Sequence, residues 1–373
     1  MNPLHILHTE AAAGWGGQEI RVFQETSLLL ERGHRVSIAC REGSPLEERC
    51  RSLTDSHFNC ISLAMERTLS PGAFIALYRY IGEISPDIIH THSSVDSWLG
   101  GIAGRFAGVP VVRTRHVSLP VKDFFPNHLI YSRIPERILT SGDAISDIVK
   151  RVRCVDPNKV MSIPAGVDLC RFNSLISGRE IREELKVKPD QPLIGKIGVI
   201  RGWKGHDYFL EAIPLIMQQI PDARFVIVGD GPGFEQIKSK AKAAGLEDSV
   251  TLLGHREDVP EIMAALNVQV LASFTGEGTP QVIPQAFAMK TPMVATKIAS
   301  IPELFGNGDR GILIEPKSAS GIAEGVLKLI KAPELANRLV ENAWSFCRKE
   351  LTVDKMMEET IAVYEEVISS SKK

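Results

Sequence analysis

The chain has 373 residues, of which 44% are apolar and 24% charged, and its net charge is −2. That length exceeds one ordinary core and points to two domains of globular composition. The near-neutral balance gives no electrostatic footprint for nucleic acid, and no apolar run approaches the ~20 residues of a membrane-spanning helix. The six cysteines, Cys40, Cys50, Cys60, Cys154, Cys170 and Cys347, show no CxxC spacing, which fits a reducing compartment. The chain enters a strand pattern almost at once, without a basic head and apolar signal core, so a cytoplasmic location is expected, with peripheral membrane contact left open.

In chain order, short β-branched runs alternate with helical patterns, the signature of βα units and parallel sheets. The first series places strands near 4–8, 36–39, 59–63, 88–90, 111–114 and 138–140, with helices at 19–31 and 96–107 among those between them. Residues 173–191 hold charges, one proline and no long apolar run, which reads as a linker with a short helix. A second series follows, with strands near 193–198, 225–228, 250–253, 268–272, 293–296 and 311–314 and helices at 234–244 and 281–289. Helical patterns at 319–330, 333–347 and 353–368 close the chain, and the last comes after the second sheet is complete. The expected fold is α/β: two doubly wound Rossmann-like domains facing across a cleft, at 1–172 and 192–350, with 351–373 returning to the first.

Polar clusters stand at strand ends, where open parallel sheets bind ligands. Gly14-Trp15-Gly16-Gly17 follows the first strand and opens a helix, so its amides and the helix dipole favour an anion. It is not GxGxxG, and a tight turn explains it equally well. Arg201 and Lys204, beside Gly202 and Gly205, form a cationic pair able to clamp a diphosphate, against the plainer alternative of solvated loop charges. Glu277, Gly278 and Thr279 end another strand ahead of Pro280, a favoured first helical residue. Glu277 is suited to accept hydrogen bonds from sugar hydroxyls, and Gln285, two helical turns on, could share its side; a helix-start carboxylate and a surface glutamine are the plainer account. His90, His92 and His116 lie at two strand ends; His92 or His116 could be a metal ligand, a base or a satisfied loop histidine. Diagnostic spacing supplies no third ligand, and no Asp-x-Asp is present. For Gly229-Asp230-Gly231-Pro232-Gly233 a backbone turn suffices.

Taken in order, these stretches resemble the retaining GT-B glycosyltransferases of family four, the group that builds lipopolysaccharide and capsule. The likeness covers nearly the whole chain. It runs through Gly16-Gly17-Gln18-Glu19, Asp87-Ile88-Ile89-His90-Thr91-His92, the 111–116 segment and Ile163-Pro164-Ala165-Gly166-Val167-Asp168, which matches IPNGVD. It continues through Lys204-Gly205-His206-Asp207, the segments 226–231 and 252–259, Glu277-Gly278, the segment 291–296, Ile301-Pro302-Glu303 and Gly311.

The resemblance implies a metal-independent, cofactor-free enzyme moving a sugar from a nucleotide-sugar donor to a saccharide or lipid-linked acceptor in bacterial surface glycan synthesis. It implies catalytic roles for His116, Arg201, Lys204 and Glu277. Donor contacts fall to Gly16, Gly17, Gly254, Arg256, Gly278, Thr279, Gln281 and Gln285. The acceptor side falls to Glu19, His92 and Arg115. Three positions depart from the family pattern. Val199 stands where an arginine is usual, Gln285 replaces a second glutamate, and Pro280 replaces a glycine and removes its N–H. Arginines in 105–153 and the aromatic stretch 121–131 point to a lipid-linked acceptor at the inner membrane surface or to an interdomain packing helix. A nucleotide-sugar epimerase and a non-catalytic sugar-nucleotide-binding partner are the alternatives.

Overall fold

A computed structural model describes residues 3–122 and 124–371. The chain divides into two compact units, one of Met1–Pro164 with Asp354–Lys373, the other Ala165–Val353. Each is built on one parallel sheet with helices on both faces.

The first sheet uses β1 (His5–Glu10), β2 (Arg35–Arg41), β3 (Phe58–Leu63), β4 (Ile88–Thr91), β5 (Val111–Arg115), β6 (Arg137–Thr140) and β7 (Val160–Ser162). Their spatial order is β3-β2-β1-β4-β5-β6-β7. The order reverses between β1 and β4, so the loops that leave these two strands part to opposite sides and open a crevice at their carboxyl ends. Alternate side chains serve opposite faces. Leu7 and Ile89 join one core with Leu77, Leu99 and Ala103. Ile6, Ile88 and Val112 join the other with Met356, Met357, Ile361 and Tyr364. That second core is covered by the last helix, Val353–Ser371, whose residues from Asp354 onward belong to this unit.

The second sheet uses β8 (Leu193–Ile197), β9 (Arg224–Val228), β10 (Val250–Gly254), β11 (Val268–Leu271), β12 (Met293–Thr296) and β13 (Ile312–Ile314). The order is β10-β9-β8-β11-β12-β13, with its reversal between β8 and β11. Every expected strand is present. β7 was not expected: three residues carry too little pattern to register.

Residues 173–191 pack into the second unit. Helix Arg179–Glu184 buries Ile181, which joins a core with Val187, Leu193, Ile262 and Leu266. One further correction concerns Pro280. The helix after Glu277 starts at Val282, and Gln281 is its N-terminal flank, so Glu277 and Gln285 do not share a continuous helix. Among the described residues no helix is long and apolar enough to cross a membrane.

Candidate functional site

In the second unit, the predicted residues gather at the β8/β11 reversal. After β8 the chain makes a short 3-10 turn, Gly202–Lys204, and passes Gly205 at φ +69°. A side chain there would be strained, and its Cβ would stand 2.0 Å from the carbonyl oxygen of Ala272. Glycine thus lets this loop lie directly on the end of β11. The Phe274 amide donates to the Trp203 carbonyl at 3.0 Å and ties the two strand ends together.

The result is an ion pair: Lys204 Nζ donates to Glu277 Oε1 at 2.6 Å. Glu277 is buried, and the Ser273 hydroxyl donates to the same oxygen. Thr296 on β12 donates to the Ser273 carbonyl and fixes that turn. Both bonds to Glu277 fall on Oε1, which leaves Oε2 to accept from a ligand. The Lys204 ammonium has three donors, so it can hold Glu277 and still bind an anion.

Two neighbours of this pair were given no role from sequence. Lys196 on β8 is 2% exposed, and burial pulls its ammonium down to about 7, with Lys204 adding to the effect and Glu277 opposing it. His206 opens the helix after Gly205; both its ring nitrogens are buried without a partner. Burial, followed by Lys196 and Lys204, lowers its pKa to about 2. The apolar run around Lys196 masks it, and a lone helix-start histidine is uninformative.

The other second-unit expectations divide. Arg201 is exposed, with its guanidinium carbon 5.5 Å from the centre of the Trp203 ring. Gly254 adopts φ +69°, and its carbonyl receives the Gly229 amide at 2.7 Å. Arg256 is committed to protein carboxylates, pairing with Glu184 at 2.7 Å and with Asp258 at 2.5 Å. That fork holds the helix from 173–191 against the β10 loop. Gly278 and buried Thr279 form the turn after Glu277. Gln281 has a buried amide nitrogen with no partner, and Gln285 is half-buried on the next helix.

In the first unit, the predicted residues gather at the β1/β4 reversal. Gly16 flanks helix Gly17–Glu31, and its amide donates to Glu19 Oε2 at 2.7 Å. Glu19 is therefore a helix cap that shapes the glycine loop. Trp15 is fixed beneath the Arg49 guanidinium, whose carbon lies 3.9 Å from the ring centre. At the end of β1, Glu10 is fully buried; it accepts from Gln18 at 2.6 Å and from the Ala12 amide at 2.9 Å. Burial, with Asp96 and Glu19 nearby, raises its pKa well above the carboxylate range. Sequence reasoning missed Glu10 because it ends a strand without a motif.

The sheet register explains the histidines. His8 pairs with His90 across β1 and β4, and His92 lies two residues beyond on the same face. His8 Nδ1 is 2.9 Å from His92 Nε2, and His92 Nδ1 is 3.3 Å from His116 Nε2. His90 bonds Tyr364 and Thr114, each at 2.6 Å. Burial lowers the pKa of all four; His8 falls to about 3. All four are neutral near pH 7.

Among the described residues, His8, Glu25, His90 and His92 bring donor atoms within 4.8 Å of one another, a set that could hold a metal ion. Linear spacing conceals this set, because register assembles it. Its atoms are largely spent within the protein: Arg21 donates to Glu25 Oε1 at 2.7 Å, and the histidines bond one another, Tyr364 and Thr114. Arg115 turns away to Tyr131 and the Leu119 carbonyl.

Known proteins share the sequence pattern and the fold of this chain. The family described as Glycosyl transferases group 1 matches residues 177–346, and Glycosyltransferase Family 4 matches residues 15–171. The chain is 30% identical over 331 residues to an Escherichia coli UDP-Gal:alpha-D-GlcNAc-diphosphoundecaprenol alpha-1,3-galactosyltransferase, covering 84% of each. Its fold is similar to a glycosyltransferase from Rickettsia africae, with a TM-score of 0.87 at 20% identity over 99% of both chains. It is also similar to Anabaena HepE in complex with UDP, with a TM-score of 0.85 at 20% identity over 97% of this chain and 100% of that one.

Proposed function

From the premise that this chain belongs to the group 1 glycosyl transferases, family 4, and is a GT-B glycosyltransferase, we propose that it transfers a sugar from a nucleoside-diphosphate donor to a lipid-linked or saccharide acceptor. The observation that carries this reading is the Lys204–Glu277 pair at the β8/β11 reversal. A cation and a buried carboxylate share one strand edge. The ammonium suits a diphosphate, and Glu277 Oε2 suits a hydroxyl of the transferred sugar.

In the proposed reaction the bond from the anomeric carbon to the diphosphate breaks. Lys204 neutralises the charge that develops on the leaving oxygen, with Arg201 and the Gly17 amide as further donors; the Gly16 amide, held by Glu19, shapes the loop. The leaving phosphate takes the acceptor proton on the same face, which gives retention without a protein nucleophile. His116 and Glu277 orient the sugar. No metal is required in this scheme, since fixed cations and amides do that work. Gln285, Thr279 and Gln281 supply polar contacts to the nucleotide sugar. The acceptor binds the first unit, where Glu19, His92 and Arg115 act through the protein groups they hold rather than by direct contact. The E. coli relative, named for a diphosphoundecaprenol acceptor, supports a lipid-linked acceptor, and surface glycan synthesis is the pathway proposed for that transfer.

A thermal-shift screen of UDP-, GDP- and ADP-sugars tests the donor. A true donor at a hundred times its dissociation constant adds about 2.7 kcal/mol of stability. Stabilisation by one nucleotide series, followed by acceptor-dependent sugar transfer, is expected. A changed nucleotide sugar released without any acceptor would instead make the protein an epimerase, and donor binding without turnover would make it a binding partner.

A further inference from the structure

Cys40, Cys50 and Cys60 are apart in sequence, and the first unit brings them together. β2 and β3 run parallel with Ile38 opposite Cys60 and Cys40 opposite Ser62, so both cysteines serve one face of the sheet. The Cys40 and Cys60 sulfurs are 3.7 Å apart. Helix Pro45–Arg51 covers that face. Its Leu46 and Cys50 pack with Val22, Ile38 and Cys40, and its Glu47 accepts from the Ser62 hydroxyl at 2.6 Å. Cys40 and Cys50 are buried, whereas Cys60 is exposed on β3, the outermost strand of the sheet. Packing explains two small buried thiols. It does not explain the third, which meets both solvent and the other two.

The three thiols are not equivalent. Hydrogen bonds from Cys40 and then Cys50 hold the Cys60 thiol below its ordinary range, against partial burial and the Glu47 carboxylate. The same bonds, followed by burial, push the Cys40 and Cys50 thiols up, so these two stay protonated. The thiolate is the form of cysteine that reacts with oxidants, and an exposed one beside a second thiol can go on to a disulfide.

We propose that Cys60 is a modification site, a thiol that hydroperoxides oxidise to a disulfide with Cys40, and that this bond loosens the glycine loop. The Cys60 thiolate attacks the outer oxygen of the hydroperoxide. The O–O bond breaks, the alcohol (water, from hydrogen peroxide) leaves with a proton, and Cys60 becomes a sulfenic acid. The Cys40 sulfur then attacks the Cys60 sulfur. The S–S bond forms, the S–O bond breaks, and the departing hydroxide takes the Cys40 proton as water. Two thiols have lost two electrons, and the hydroperoxide has gained them. An S–S bond of about 2 Å requires the sulfurs to close from 3.7 Å. β2 is paired on both sides and β3 on one, so β3 gives way. β3 carries Ser62, which holds Glu47, and on the same helix Arg49 covers the Trp15 ring at 3.9 Å. Movement of β3 therefore pulls the helix that fixes Trp15 beside Gly16 and Gly17. The site stands apart from the sugar-transfer reading and does not rest on it.

Hydrogen peroxide added to the full chain, followed by non-reducing peptide mapping, tests the chemistry. A linked Cys40–Cys60 peptide is expected, lost on treatment with dithiothreitol and absent in Cys60→Ser. Cys40→Ala should stop at a Cys60 sulfenic acid, which dimedone captures. Hydrogen exchange read by mass spectrometry tests the consequence without any ligand. Residues 12–19 should exchange about tenfold faster in the oxidised wild type, the scale of one lost cation–π contact. Arg49→Ala should quicken the same amides with the thiols reduced, and oxidation should then add little. The wild-type measurements stand even where a variant fails to fold. Oxidation of Cys154 or Cys170, the other exposed thiols, ahead of Cys60 overturns the inference. So does a link from Cys60 to any cysteine but Cys40, or exchange in 12–19 that oxidation leaves unchanged.

Discussion

Lys196 shows how a single residue records the cost of the site around it. It lies in the core at the root of the Lys204–Glu277 pair, with its ammonium pulled from 10.5 to about 7, first by burial and then by Lys204. Between those two values the unfolded chain binds a proton that the folded chain does not, so stability rises with pH across that window. Below it, the folded protein carries a buried charge. Lys196→Met keeps the stem and removes the charge. The variant should lose the rise in stability above about pH 7 and gain on the order of a few kcal/mol at neutral pH. Urea midpoints measured from about pH 6.5 to about pH 10 check this. A pH slope equal to that of the wild type would show that Lys196 stays charged throughout.

At the scale of elements, most of the fold was legible. Buried parallel strands such as 225–228 and 293–296 are short apolar runs bounded by turn residues, and the structure places them almost where pattern does. β7 was too short, and the helix after Glu277 starts later than Pro280 implied because residues 279–281 stay in the turn. Site residues beside glycine turns were legible for the same reason. Glu10, Lys196 and the histidine cluster were not, since they depend on register between strands distant in sequence.

The segment after β5 is the other informative element. Arg113 and Arg115 both reach Tyr131 and hold its base. Beyond them Leu119, Phe124 and Phe125 are 50%, 47% and 72% exposed. The expected stretch 121–131 includes Asp123, which lies outside the described residues. Two exposed rings at the start of a short helix suit an apolar surface, and burying what remains exposed of them is worth about 2–4 kcal/mol before ordering costs. The protein should co-sediment with anionic liposomes, and Phe124→Ser with Phe125→Ser should abolish most of that binding. A wild-type protein that stays in the supernatant would leave these rings without a membrane role.

At the scale of the molecule, each unit repeats one solution. A parallel sheet reverses its order once, and polar groups collect at that reversal: Glu10, the glycine loop and His92 at β1/β4, Lys204 and Glu277 at β8/β11. Family membership accounts for the common plan. The buried partners of these groups are this chain's own detail. The central claim, that the strand-end cation drives departure of the diphosphate, is tested most directly by sugar transfer from the preferred nucleotide sugar in wild type and Lys204→Ala, with thermal unfolding as the control for folding. Transfer should fall by about two to three orders of magnitude in a folded variant that still melts cooperatively. Turnover equal to that of the wild type would contradict the account.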